Sequence, residues 1–144
     1  MLKLRKNKKG FTLVELIVVI AIMAVLAGTV AGVTVTQLNK QTDNNGVTQA
    51  KLIADFVVQE IGADAENVLN ADDQFATKDG KIYIATRIAN EMKNDKIGFG
   101  TGKGQITITA SAESVVIKYN SKQSNKGITY TVTPDGKTAS AKDA

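Results

Sequence analysis

The chain joins one long apolar stretch to several shorter stretches with clear periodicity. No residue from Leu16 to Gln37 carries a formal charge. At about 1.5 Å of rise per residue, a helix over this stretch is long enough to cross a hydrocarbon core of roughly 30 Å. One carboxylate, Glu15, stands just inside its start, with no partner visible from the pattern of its own chain. A lone acid in apolar surroundings is costly. Next comes the polar cluster Thr42-Asp43-Asn44-Asn45-Gly46, turn-like in composition, which predicts a kink or an interruption. Helical period then resumes. Ala50, Ile53, Ala54, Val57, Ile61, Ala65 and Val68 recur at i, i+3, i+4 and i+7, while Lys51, Asp55, Gln59, Glu60 and Glu66 fall largely on the other side. This predicts an amphipathic helix over 47–69 with an apolar stripe that needs a cover. The pattern is compatible with one helix from Thr12 to Leu69 or with two pieces.

Asn70 to Gly80 reads as a loop, and Lys81 to Asn94 as a second helix with Ile82, Ala85, Ile88, Ala89 and Met92 on one side. The last third alternates with period two. Ile106, Ile108 and Ala110 form one set, Val115, Ile117 and Tyr119 a second, and Ile128, Tyr130 and Val132 a third. Such sets predict half-buried antiparallel strands. Pro134-Asp135-Gly136-Lys137 predicts a turn, with a short fourth strand at Thr138 to Ala141. The expected fold class is α+β: a long N-terminal helix, its first half embedded in membrane, packed on a C-terminal antiparallel sheet of three to four strands over about 105–141.

Candidate chemistry is sparse. The chain has no Cys and no His. That removes disulfides, thiol chemistry and the commonest general base near neutral pH. No nucleophile–base set stands out, so no enzyme is expected, and no cofactor or metal is called for. Asp72, Asp73 and Asp79 miss the spacing of a calcium loop. Gly98-Phe99-Gly100-Thr101-Gly102-Lys103-Gly104 lacks the Ser or Thr that follows the lysine of a phosphate loop, and a strand follows it rather than a helix. It reads as a flexible connection. Tyr83, Tyr119 and Tyr130 read as core-edge residues.

Charge sharpens the picture at the N-terminus. The formal net charge is +4, but five of the 18 basic residues (Lys3, Arg5, Lys6, Lys8, Lys9) precede Phe11. A chain cut after Gly10 keeps 13 basic against 14 acidic side chains, a net −1. The basic excess is therefore not a nucleic-acid patch. Basic residues flanking an apolar span stay in the cytoplasm, which places the C-terminal part outside. Three readings of the span compete: a secretory signal cut near Ala27 or Ala31, a plain membrane anchor, and a helix that buries itself among copies of itself. An acid early in the apolar run, and a Gly10-Phe11 junction before it, are unexpected for the first two.

Those residues carry a resemblance. Gly10, Phe11, Thr12, Leu13 and Glu15, within Lys8 to Gln37, are similar residue by residue to the class III signal and N-terminal helix of type IV pilins and pseudopilins. The resemblance implies a leader at 1–10, a transmembrane and filament-core helix at 11–38, and a globular head at 39–144. It implies a prepilin peptidase/N-methyltransferase that cuts after Gly10 and methylates Phe11, with an assembly ATPase, an inner-membrane platform and minor pilins as further partners. It implies a homo-oligomeric helical filament, reached by way of the membrane and displayed outside the cell. A free α-amino group is largely cationic near neutral pH, so the amine released on Phe11 can pair with Glu15 of a neighbour or, at i and i+4, of its own helix. Gly28 and Gly32 allow close helix approach or local flexibility; family members often carry a Pro near Gly32, where the helix can melt on assembly. Relatives also often staple a C-terminal loop with a disulfide, which this chain cannot do. The alternatives are a pseudopilin of a type II secretion or DNA-uptake system and a membrane-anchored binding domain.

Overall fold

The computed structural model describes residues 10–93, 97–123 and 126–143. Of the expected leader only Gly10 is described, and Asn94, at the end of the expected second helix, also lies outside the described residues. The chain divides after Gln37 into two compact units.

Helix α1 covers Leu13–Ala63. The Thr42–Gly46 cluster does not interrupt it. In the first unit α1 shows its apolar side chains to the outside: Leu13, Ile17, Ile20, Met23, Leu26 and Val30 are all exposed. Three threonines sit among them without stranding a donor. Thr29 Oγ1 donates to Leu26 O at 2.9 Å, Thr34 Oγ1 to Val30 O at 2.8 Å and Thr36 Oγ1 to Gly32 O at 3.2 Å. Hydroxyls bonded back to their own helix can be carried into an apolar medium. The stretch is long and apolar enough to cross a membrane.

In the second unit, α1 is followed by α2 (Ala65–Val68), β1 (Thr77–Lys78), β2 (Lys81–Ile82), α3 (Tyr83–Glu91), and then β3 (Ile106–Ala110), β4 (Val115–Tyr119), β5 (Ile128–Val132) and β6 (Thr138–Lys142). The last four strands form an antiparallel meander in the order β3-β4-β5-β6. Its register aligns the apolar sets found by alternation. Tyr119 pairs with Ile106 and Ile128, Ile117 with Ile108 and Tyr130, and Val115 with Ala110 and Val132. These rows share one core with Ala50, Ile53, Ala54 and Val57 of α1. Each of those four is fully buried. Strand β6 is exposed at every position and only completes the ladder.

Within the second unit the structure departs from the pattern at further places. The helix expected over 47–69 ends at Ala63, and Asp64 breaks it (φ −135°, ψ 44°) before α2. The second helix starts at Tyr83 because Lys81–Ile82 pairs with Thr77–Lys78 in a hairpin. Asp79 (φ 52°) and Gly80 (φ 75°) supply the two left-handed positions of its turn. Glu60, expected on the polar side, is buried and lies 3.1 Å from Arg87 Nη2. That pair joins α3 to the end of α1, and Arg87 also pairs with Glu91 of its own helix at 2.6 Å. Tyr119, expected at the core edge, is fully enclosed.

Candidate functional site

Sequence reasoning pointed to Gly10, Phe11, Glu15, Gly28 and Gly32. Gly10 and Phe11 precede the helix, and Phe11 is 92 % exposed. Thr12 is the residue at which the chain turns into α1. Its backbone N–H donates to Glu15 Oε2 at 2.9 Å, and the Glu15 N–H donates to Thr12 Oγ1 at 3.2 Å. This reciprocal pair is a capping box, the arrangement in which Thr and a Glu three residues on each satisfy one helix-start N–H. The expectation that Glu15 lacks a partner in its own chain is therefore corrected: its carboxylate holds the Thr12 N–H, at the positive end of the helix dipole. In the uncut chain α1 begins at Leu13, so Phe11 lies outside the helix. In the uncut chain the Phe11 nitrogen is an uncharged amide. Only cleavage of the Gly10–Phe11 bond turns it into a cation that a carboxylate can attract.

Gly28 and Gly32 lie within the helical stretch of the first unit, and α1 passes through both. A Cβ built on either meets nothing within 4 Å. Inside one subunit neither glycine is required by sterics, so any demand for a bare backbone there comes from outside the chain.

A second constellation, in the second unit, escaped the sequence. Asp43 is only 4 % exposed. It accepts from Tyr119 Oη and from the Lys122 N–H at 2.9 Å each, and from the Gln123 N–H at 3.3 Å. Burial works to raise the Asp43 carboxyl. The hydrogen bonds, led by that from Lys122, outweigh it and hold the group below its ordinary value. Burial, together with the Asp43 charge, pushes the Tyr119 phenol upward. One turn on, Gly46 leaves room for the ring: a Cβ there would overlap Tyr119 Cε2. The signal was available. Asp43 and Gly46 continue the buried period of Ala50, Ile53 and Val57 backwards along α1, but their polar and flexible types read as a turn. The pair latches the start of the helical face to the loop after β4. It is a structural site.

The remaining candidates do not converge. Asp72 and Asp73 lie in a turn organised by Asn70 Oδ1, which accepts from the Asp72 and Gln74 N–H groups at 3.0 and 2.9 Å. Asp79 belongs to the hairpin. No group of three or more possible metal ligands occurs among the described residues. The Gly98–Gly104 segment is tied to β3: the Gly100 N–H donates to Ile106 O at 2.9 Å and the Gly102 N–H to Gln105 Oε1 at 2.9 Å.

Comparison with known proteins bears on the N-terminal site. The family described as the prokaryotic N-terminal methylation motif matches residues 5–31. Two proteins of Pseudomonas aeruginosa, each named "Fimbrial protein", are 30 % identical over 118 residues, or 77 % of this chain. The chain spans 66 % of the length of these relatives. No solved structure matches.

Proposed function

Starting from this chain's membership of the type IV pilin-like proteins, we propose that it is a prepilin subunit, cut after Gly10, N-methylated at Phe11 and polymerised into a type IV pilus filament. Family membership makes it a structural protein and not an enzyme. The observation that carries the reading is the juxtaposition at the N-terminus. A capped carboxylate, Glu15, stands four residues after Phe11 and heads a helix whose apolar side chains in the first unit are exposed. Before cleavage the basic leader holds the N-terminus on the cytoplasmic side, and the span anchors the chain in the membrane. After cleavage the Phe11 amine is the cation that Glu15 of a neighbour accepts. A charge pair in a low-dielectric helix bundle is favourable only when both members are satisfied. Assembly is thereby confined to processed chains. The second unit then lies on the outer surface of the filament. A peptidase/N-methyltransferase, an assembly ATPase, a membrane platform and minor pilins are the partners this scheme requires.

Mass spectrometry of native filaments tests it. The expected subunit begins at N-methylated Phe11. Filaments built from chains that keep Met1 to Gly10 would overturn the reading. Filament length by electron microscopy separates long pili from the short piston of a pseudopilin.

A further inference from the structure

The second unit is electrically polar along α1. At the end where α1 enters it, the helix start, the loop after β4 and the close of β6 come together. Asp43 binds the Lys122 and Gln123 N–H groups, and Ile128 pairs with Lys142. Exposed lysines gather here: Lys40, Lys103, Lys122, Lys126 and Lys142. Among the described residues two acids share this end: Asp43 is buried with its oxygens engaged, and Asp143 is half-buried beside Gly127, so the lysines outnumber them. A cleft of about 240 Å³ opens between Asn44, Val47, Lys126 and Lys142.

The far end, where α1 gives way to α2, carries the opposite sign. The Phe75 N–H donates to Ala112 O at 2.8 Å, which brings the 70–74 turn beside the β3–β4 turn. Glu66, Asp72, Asp73 and Glu113 are exposed there. The cations at this end are largely held. Arg87 pairs with Glu60 and Glu91, Lys137 with Asp135, and Lys78 lies 5.7 Å from the centre of the Tyr83 ring; Lys81, opposite Lys78 in the hairpin, is exposed.

We propose that these two ends bind each other between successive copies of this chain, the acidic far end of one subunit seated on the lysine-lined near end of the next. The proposal rests on the filament reading above. A helical filament applies one operation to identical subunits, so a near end seated on a far end can recur at every step. That is a heterologous contact, which repeats without closing. Exposed ion pairs contribute little singly. Arrayed across an interface they fix register and reject mismatched neighbours, and salt weakens them.

Charge reversal in the full-length chain, in cells that make the filament, tests this. Lys126→Glu with Lys142→Glu reverses the near end, and Glu66→Lys with Glu113→Lys the far end. All four side chains are exposed, so each variant should accumulate as processed chain at the wild-type level. Each reversal alone is expected to lower filament yield on the order of tenfold, and the fourfold variant to recover most of it. Loss without recovery overturns the proposal. Loss of yield on near-end reversal with no loss on far-end reversal means that something other than the far end, such as an anionic lipid surface, occupies the lysines, and overturns the proposal. Unchanged yield in every variant overturns it equally. Wild-type chain that is processed yet forms no filament removes the filament reading first, and this contact with it.

Discussion

Asp43 is nearly buried and ionised, a combination that persists only because several donors converge on it. Its carboxyl sits below the ordinary value of 3.8 in the folded chain. A depressed folded-state value means that the group stabilises the fold above the unfolded-state value and loses that contribution as pH falls through the folded one. Asp43→Asn should therefore cost about 1–3 kcal/mol at pH 7. The difference from wild type should narrow below about pH 4, where Asp43 of the unfolded chain begins to protonate before that of the folded one. Thermal unfolding of the detergent-solubilised chain, followed by circular dichroism, reads both; a gap that widens in acid would contradict the latch. Gly46→Ala attacks the same contact by volume. The new methyl falls within the space of an enclosed Tyr119 ring, and overpacking of this kind costs about 1–3 kcal/mol. A melting temperature unchanged by that substitution would show that the ring has room to move. Neither residue was legible as a core member, because residue type alone says turn where neighbours say interior.

At the scale of elements, legibility followed periodicity. The strand sets of the last third appeared with their faces correct, since alternation reports directly on which side of a sheet is covered. The stripe from Ala50 to Val57 was read correctly as the buried face. Boundaries set by a few hydrogen bonds were not read. The β1–β2 hairpin has only two residues per strand, too few for a period to show, although Asp79-Gly80 was its one usable signal. For Gly28 and Gly32 the structure turns a motif into an experiment. A methyl added at either glycine meets nothing within the subunit, and Ala exceeds Gly in helix propensity by about 1 kcal/mol. Gly28→Ala and Gly32→Ala should leave helix content unchanged or slightly higher. If close helix approach in the filament uses these positions, filament yield should nevertheless fall. Unchanged yield by electron microscopy would show the glycines to be merely tolerated.

At the scale of the whole molecule, the apolar side chains of the first unit are left uncovered. Such a surface belongs in lipid or among its own copies. Glu15 belongs to the same account. In the single chain it caps its own helix, so its loss costs the subunit one capping interaction of about 1 kcal/mol. In the filament it would also leave each neighbour's amine unpaired. Glu15→Ala should accordingly be processed and inserted normally yet assemble poorly, as immunoblots of the mature chain and counts of filaments would show; normal filaments would refute the pairing. Sequence alone determined the division of labour: an uncharged run long enough to span lipid, a basic start, and alternating strands to follow. These are properties of neighbouring positions along one chain, and solvent reads them without knowing the fold. Only the tertiary structure decided that Asp43, Gly46, Glu60 and Tyr119 are interior, and that lysines and acids sort to opposite ends of one unit. Those facts depend on which distant segments meet, and burial makes a polar side chain stabilising only where its particular donors arrive.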